Sequence, residues 1–304
     1  MATNLSTSTK PYIGRFAPSP TGLLHFGSLV TAVASYLDAK ANQGLWLVRI
    51  EDLDPPRETP GAIAEILKTL ETYQLQWDGE VWHQSQRHDI YQAQIDRFIS
   101  DQKAFYCTCS RKPLIRKYGH RYPGICRGTY TKPAEPSSVR LLTNDSPIGF
   151  EDGLQGHFEQ HLESELGDFI IKRKDNLYAY HIAVVMDDEA QGITDIVRGL
   201  DLLDSTPRHL YLQQLLNYRT PNYTHLPLVT NQLGQKLSKQ TFAAPIPNDQ
   251  PSHYLWTSLY ALGQQPPAEL KGAPPEEILF WGTEHWQLNK IPKQSSIHEA
   301  NLNL

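Results

Sequence analysis

The sequence predicts an α/β protein that opens with a βαβ unit and closes in a small helical part. An apolar strand candidate, Tyr12 to Phe16, runs through the turn Pro18-Ser19-Pro20-Thr21-Gly22 into a helical pattern over Ser28 to Asn42, and a second strand candidate follows at Leu45 to Glu51. Far along the chain, Lys236-Leu237-Ser238-Lys239-Gln240 sets two lysines three residues apart beside a glycine. Beyond it, Pro245, Pro247, Pro251, Pro266, Pro267, Pro274 and Pro275 punctuate short helical patterns at Ser252 to Leu262 and Glu276 to Trp281.

The first turn puts His25 and the amides around Gly27 at a helix N-terminus. Backbone N–H groups there lack intrahelical partners and the helix dipole is positive, so the end attracts phosphate. Pro55 and Pro56 then break the chain. Thr59 to Tyr73 reads as an amphipathic helix with Ile63, Ile66, Leu67 and Leu70 on one face, and Arg87 to Ser100 as another. Val139 to Leu142 and Asp168 to Arg173 read as strands on either side of the acidic stretch Phe150 to Gly167. Tyr180 to Met186 is predicted as an apolar strand and Ile193 to Val197 as a short β-branched one. Thr206 to Leu216 has helical spacing, with Pro207 early enough that its missing N–H costs nothing. The last dozen residues read as frayed. The organisation expected from this is a flexible start over 1–10, a core domain over 11–102 and 168–244, an inserted subdomain over 103–167 and a helical appendage over 245–304.

Composition excludes several classes. Apolar residues make up 39% and charged residues 20%, an ordinary globular balance. No apolar run reaches the roughly 18 to 20 residues that span a bilayer, and Met1 to Lys10 lacks a signal-peptide core. A cytoplasmic protein without a membrane partner is expected. Net charge is −5, so bulk attraction to nucleic acid is absent and any such binding needs a local basic patch. From Gln102 to Ala134 there is no Asp or Glu, while Lys103, Arg111, Lys112, Arg116, Lys117, Arg121, Arg127 and Lys132 are basic. A solvated charged loop is the plain reading of such a run.

All three cysteines lie in the same segment, at Cys107, Cys109 and Cys126. An odd count in a cytosolic chain argues against a disulfide framework. Three thiolates suit a tetrahedral zinc ion that takes a fourth ligand. His120 and Tyr122 are the neighbouring candidates, and imidazole is the commoner ligand. Metal ligation is the better reading, and the alternative is two free cysteines beside a third that merely packs, because Cys-x-Cys is less diagnostic than Cys-x-x-Cys.

Five strings together carry a family resemblance: Arg15-Phe16-Ala17-Pro18-Ser19-Pro20-Thr21-Gly22, His25-Phe26-Gly27-Ser28, Arg49-Ile50-Glu51-Asp52, Val197-Arg198-Gly199 and Lys236-Leu237-Ser238-Lys239. In that order they resemble the catalytic core of the glutamyl-tRNA synthetases, which are class I aminoacyl-tRNA synthetases. About 65 residues follow the lysine loop, too few for the family's anticodon-binding region. His-Phe-Gly-Ser and Lys-Leu-Ser-Lys-Gln are similar to the forms found in a truncated subfamily that glutamylates queuosine in tRNA(Asp).

The resemblance implies a Rossmann-like class I synthetase domain with an inserted zinc-containing subdomain. It implies that L-glutamate and ATP give glutamyl-adenylate without tRNA, and that the glutamyl group then passes to the cyclopentenediol of queuosine. His25 and Lys239 are the implied catalytic residues. Gly27, Ser28, Lys236 and Ser238 join them at ATP, with Mg2+ on the nucleotide. Arg15, Phe16, Ala17, Pro18, Ser19, Glu51, Tyr180 and Arg198 are implied at glutamate, where two carboxylates and one ammonium call for cations and an anion. The subfamily pattern assigns zinc to Cys107, Cys109, Tyr122 and Cys126, against the spacing preference for His120. A monomer is expected.

Each residue also has a plainer role. Arg15 and Glu51 can form a rim ion pair, although both end strands where open α/β sheets bind ligands. Tyr180 can be a core tyrosine, and Arg198 can simply end a strand. Two rival functions stand beside the main one, a non-catalytic binding paralogue and a minimal enzyme charging a tRNA 3′ end.

Overall fold

The computed structural model describes residues 11–231, 233–237 and 244–302. Its core is parallel. Strand β1 (Ile13–Phe16) passes into helix α1 (Phe26–Ala41) and returns as β2 (Leu45–Ile50), pairing Ile13 with Leu45 and Phe16 with Val48. After α2 (Ala62–Thr72), the two-residue β3 (Trp82–His83) extends the sheet beside β2. Helix α3 (His88–Ser100) then leads into β4 (Ala104–Cys107), α4 (Arg111–Tyr118) and β5 (Ser138–Leu141). A hairpin of β6 (Pro147–Asp152) and β7 (Gly156–His161) follows, then the single turn α5 (Leu162–Glu165) and β8 (Phe169–Lys172). Strands β4, β5 and β8 form an antiparallel sheet in that order.

Helix α6 (Tyr180–Ala190) returns the chain to the parallel region as β9 (Asp195–Gly199), α7 (Thr206–Leu216) and β10 (Asn222–Leu226). Parallel pairing of β9 with β10 sets Arg198 opposite His225. Thr194 ties this pair to β1: its N–H donates to the Ile13 carbonyl at 2.9 Å and its hydroxyl accepts the Ile13 N–H at 2.8 Å. The chain closes with β11 (Leu228–Thr230), α8 (Pro251–Ala261), α9 (Pro275–His285) and β12 (Ser296–His298), the last parallel to β11.

Small residues let α1 be enclosed. Ala32, Ala34, Ser35 and Ala39 are buried with Leu29, Val33 and Leu37, so the sheet can approach one side and α8 and α9 the other. Trp46 on β2 is fully buried against it and donates its indole N–H to Ser35 Oγ at 2.9 Å. Burying a large apolar side chain in this way contributes about 1.5 to 3 kcal/mol. At the far end of α1, the Asp38 carboxylate accepts from Tyr12 Oη at 2.5 Å and Trp286 Nε1 at 2.8 Å, so one buried acid joins the first strand to the segment after α9.

Two expectations need correction. Tyr180 to Met186 is not a strand but the first part of α6. Every residue from Ile182 to Asp188 is buried, so the run shows no amphipathic period, and Val184 and Val185 give it a β-like composition. The last dozen residues are not frayed up to Leu302: β12 pairs with β11, and Ile297 and Leu302 are each only 6% exposed. Among the described residues no helix is long and apolar enough to cross a membrane.

Candidate active site

The strands β1, β2 and β9 deliver their C-terminal ends to one cavity of about 670 Å³. Arg15 and Phe16 close β1, and Ala17, Pro18 and Ser19 continue along the cavity wall. Glu51 comes from the end of β2, Arg198 from β9 and Tyr180 from the first turn of α6. His25, Gly27 and Ser28 line the same cavity from the start of α1, and Lys236 faces it from beyond β11. Ser238 and Lys239 lie outside the described residues.

The Pro-rich turn is held from two sides. The carbonyl of Pro18 accepts the N–H of Glu51 at 3.0 Å and that of Pro20 accepts Thr59 N–H at 2.9 Å. His25 is the N-cap of α1, with Nδ1 accepting the Ser28 N–H at 3.2 Å. A side chain at position 27 would meet the His25 ring at 3.3 Å, so glycine there keeps the imidazole against the helix end. The Lys236 ammonium pairs with Asp201 at 2.5 Å.

The two arginines sit in opposite electrostatic surroundings. Arg15 is 4% exposed and grips Asp188 with two bonds, Nε to Oδ1 at 3.1 Å and Nη2 to Oδ2 at 3.2 Å. Arg49, fully buried, places Nη1 2.8 Å from the same Asp188 and Nη2 3.7 Å from Glu51. Burial raises the carboxyl of Asp188, yet Arg15 and Arg49 hold it below the ordinary carboxylate range. Burial wins at Glu51, whose carboxyl is pushed up to about 7 despite Arg49 and Arg15.

Among the described residues, Arg198 has only neutral partners in direct contact. Nε donates to His225 Nε2 at 2.9 Å, and Nη1 to Tyr180 Oη at 3.2 Å and His209 Nδ1 at 3.3 Å. Nη2 donates to Thr206 Oγ1 at 2.7 Å and the Leu202 carbonyl at 3.2 Å. All five guanidinium donors are thus engaged. His209 and His181 stay neutral: burial, helped by Arg198, drives the first well down and the second to about 3. The positive charge of Arg198 is therefore left uncompensated by these contacts, an arrangement that can attract a carboxylate.

A second cluster lies at the end of β4. The sulfurs of Cys107, Cys109 and Cys126 all lie within 4.8 Å of one another, against the S···S spacing of about 3.8 Å that tetrahedral Zn–S bonds of about 2.3 Å require. Tyr122 Oη is 3.4 Å from Cys107 Sγ and accepts the Cys126 N–H at 2.9 Å. His120 is exposed and outside this group. The three thiols are a donor set that fits zinc, and the Tyr122 hydroxyl stands beside them. Gly167 makes room for this tyrosine. It has φ of +73°, and a Cβ there would come 2.0 Å from the Tyr122 carbonyl oxygen. Arg127, one of the eight basic residues of the segment, is turned inward onto Asp168 and Glu163 and so is not free for an external partner.

Sequence reasoning did not single out Asp188, the shared anchor of Arg15 and Arg49, nor His209, His225 and Asp152 around Arg198. The one available signal was the acidic pair Asp187-Asp188 ending an apolar run, where burial of a charge demands a cationic partner.

A family model described as tRNA synthetases class I (E and Q), catalytic domain, matches residues 13–250. The chain is similar to curated proteins named Glutamyl-Q tRNA(Asp) synthetase. One from Ectopseudomonas mendocina is 54% identical over 291 residues, covering 96% of this chain and 98% of that protein. One from Pseudomonas aeruginosa is 52% identical over 294 residues, covering 97% and 100%. Among solved structures, a glutamate tRNA ligase from Elizabethkingia meningosepticum in complex with its amino acid superimposes with a TM-score of 0.77 at 25% identity. That match covers 94% of this chain but 66% of the ligase. Glutamate-tRNA synthetase from Elizabethkingia anophelis gives 0.77 at 26% identity, with 95% and 68% covered.

Proposed function

The chain belongs to the class I tRNA synthetases (E and Q), and from that premise we propose that it activates L-glutamate with ATP and transfers it to the queuosine of tRNA(Asp). The observation that carries the reading is the single cavity combining the His25 helix end, Lys236, Glu51, Tyr180 and the two arginines. The names of the most similar relatives favour queuosine over a tRNA 3′ end as acceptor.

In the first step a glutamate carboxylate oxygen attacks the α-phosphorus, the bond to the bridging oxygen of pyrophosphate breaks, and pyrophosphate leaves. The enzyme's work is to hold two anions in line and stabilise the leaving charge. The N-terminus of α1 and His25 receive the phosphates, and Lys236 and Lys239 meet the pyrophosphate. Mg2+ arriving on the nucleotide supplies further charge neutralisation. In the second step a hydroxyl of the cyclopentenediol attacks the adenylate carbonyl, loses its proton, and AMP leaves. Activation needs no tRNA in this reading.

Arg198 and Tyr180 hold the substrate's side-chain carboxylate, and Glu51 its ammonium, while Arg15 turns its remaining donors to the reacting carboxylate. Phe16, Ala17, Pro18 and Ser19 shape the wall between them. Because Glu51 titrates near 7, acid removes the anion the ammonium needs. The KM for glutamate is expected to rise about tenfold per pH unit below 7, and the KM for ATP to move less. Steady-state pyrophosphate exchange across that range checks it, and a flat glutamate KM would refute the ammonium role of Glu51.

Cys107, Cys109, Tyr122 and Cys126 hold a structural zinc ion that pins the inserted subdomain, over 103–167, as a basic face for RNA. Elemental analysis is expected to find about one zinc per chain, and Cys126→Ser to lose it and to lower the unfolding temperature. Protein purified without chelator that carries no zinc would count against the site.

The decisive experiment offers radioactive glutamate, ATP and Mg2+ with queuosine-containing tRNA(Asp), the same tRNA without queuosine, or tRNA(Glu). Acid-precipitable label on the first alone is expected. Label on tRNA(Glu) would make this a compact charging enzyme, and label on none would make it a binding paralogue.

A further inference from the structure

We infer that Asp152 and His225 form a positioning pair that sets the plane of the Arg198 guanidinium and thereby its preference for a carboxylate ligand. The inference rests on Arg198 holding the substrate's side-chain carboxylate.

Asp152 ends β6, in the hairpin between β5 and β8, yet its side chain reaches β10. Oδ1 accepts the backbone N–H groups of Leu154 at 3.0 Å, Gln155 at 2.9 Å and His225 at 3.2 Å, while Oδ2 meets His225 Nδ1 at 2.6 Å. Both side chains are fully buried. Burial raises the Asp152 carboxyl, but His225 and the two turn N–H groups hold it below the ordinary range, so it is ionised. An ionised carboxylate only accepts. His225 must then carry its proton on Nδ1, which leaves the Nε2 lone pair for Arg198 Nε–H at 2.9 Å.

That bond has a particular geometric effect. Nε is the nitrogen nearest the aliphatic stem, and fixing it together with Nη2, held by Thr206 at 2.7 Å, leaves the planar group no freedom to rotate. Nη1, with the longer bonds to Tyr180 and His209, is the corner left to a ligand. The Tyr223 ring supports the arrangement, lying parallel to His225 within 5° and under Arg198 at 5.1 Å. The plain alternative is that Asp152 and His225 merely bolt the hairpin to the sheet, and it predicts a loss of stability with no selective loss of glutamate binding.

Asp152→Asn separates the two. The amide oxygen can still accept the three backbone N–H groups, while its N–H₂ faces His225 Nδ1 and forces the other tautomer. His225 Nε2–H then opposes Arg198 Nε–H. In pyrophosphate exchange the glutamate KM is expected to rise about 10- to 100-fold, the ATP KM to stay within about twofold, and preference for glutamate over glutamine to fall. His225→Gln, which offers an oxygen near the place of Nε2, is expected to retain much of the affinity that His225→Leu loses. Glutamate KM within about twofold of wild type for Asp152→Asn, or an equal rise for both substrates, would overturn the inference. Should Asp152→Asn fail to fold, equal glutamate KM values for the Gln and Leu variants at 225 would do the same. Wild-type protein inactive in exchange would instead refute the activation reading on which this stands.

Discussion

Asp188→Asn is expected to destabilise the protein by about 3 to 5 kcal/mol, the cost of leaving buried cations without their anion. Asp188 is 4% exposed and faces Arg15 and Arg49 together. Asparagine has nearly its shape but no charge, and Glu51, titrating near 7, is a poor substitute. The native pKa of Asp188 lies below its unfolded value of about 3.9. Its contribution is therefore complete above that value and is lost as pH falls through the native one. Urea unfolding at neutral pH measures the effect, and a loss under about 1 kcal/mol would mean that the guanidinium groups find water or other acceptors.

Arg198→Lys is expected to lower kcat/KM for glutamate by about 10²- to 10⁴-fold while leaving the ATP KM nearly unchanged. Charge is conserved, so bulk electrostatics does not explain such a loss. Geometry does: five acceptors surround Arg198, and an ammonium has three donors without a fixed plane. His225, Thr206, Tyr180, His209 and the Leu202 carbonyl could not all be served, and the group would settle between them, away from the cavity. Pyrophosphate exchange at varied glutamate measures it. A change below about tenfold would place the specificity charge on Arg15 instead.

Local pattern made much of this legible. Strand, turn and helix from Tyr12 to Asn42 were readable because an apolar run, a Pro/Gly turn and a string of small residues change character at each boundary. Helix α7 spans Thr206–Leu216 as expected, its start marked by Pro207. Helix α6 was misread because a helix buried on all sides loses its period. Strand β12 was hidden in a polar tail and exists through pairing with β11, a partner nearly seventy residues earlier. Of the residues that line the cavity, Arg15, Glu51 and Arg198 were visible through short ordered strings, and Tyr180 only through the family resemblance. Asp152, Asp188 and His225 were not, since their importance lies in what they touch across 73, 173 and 27 residues. Spacing pointed to His120 at the cysteine cluster, and the fold instead brings up Tyr122 through the close approach at Gly167.

The enclosure of α1 fixes an order in time. Its outer face is completed by α8 and α9, so the helix that presents His25 remains half-covered on the nascent chain until residues near 285 have been made. At ordinary elongation rates of about 5 to 20 residues per second this delay is roughly 10 to 50 seconds. During that interval Phe26, which meets Tyr254 of α8, and Leu37, which lies against Gly282 of α9, are apolar surface open to chaperones at both ends of the helix.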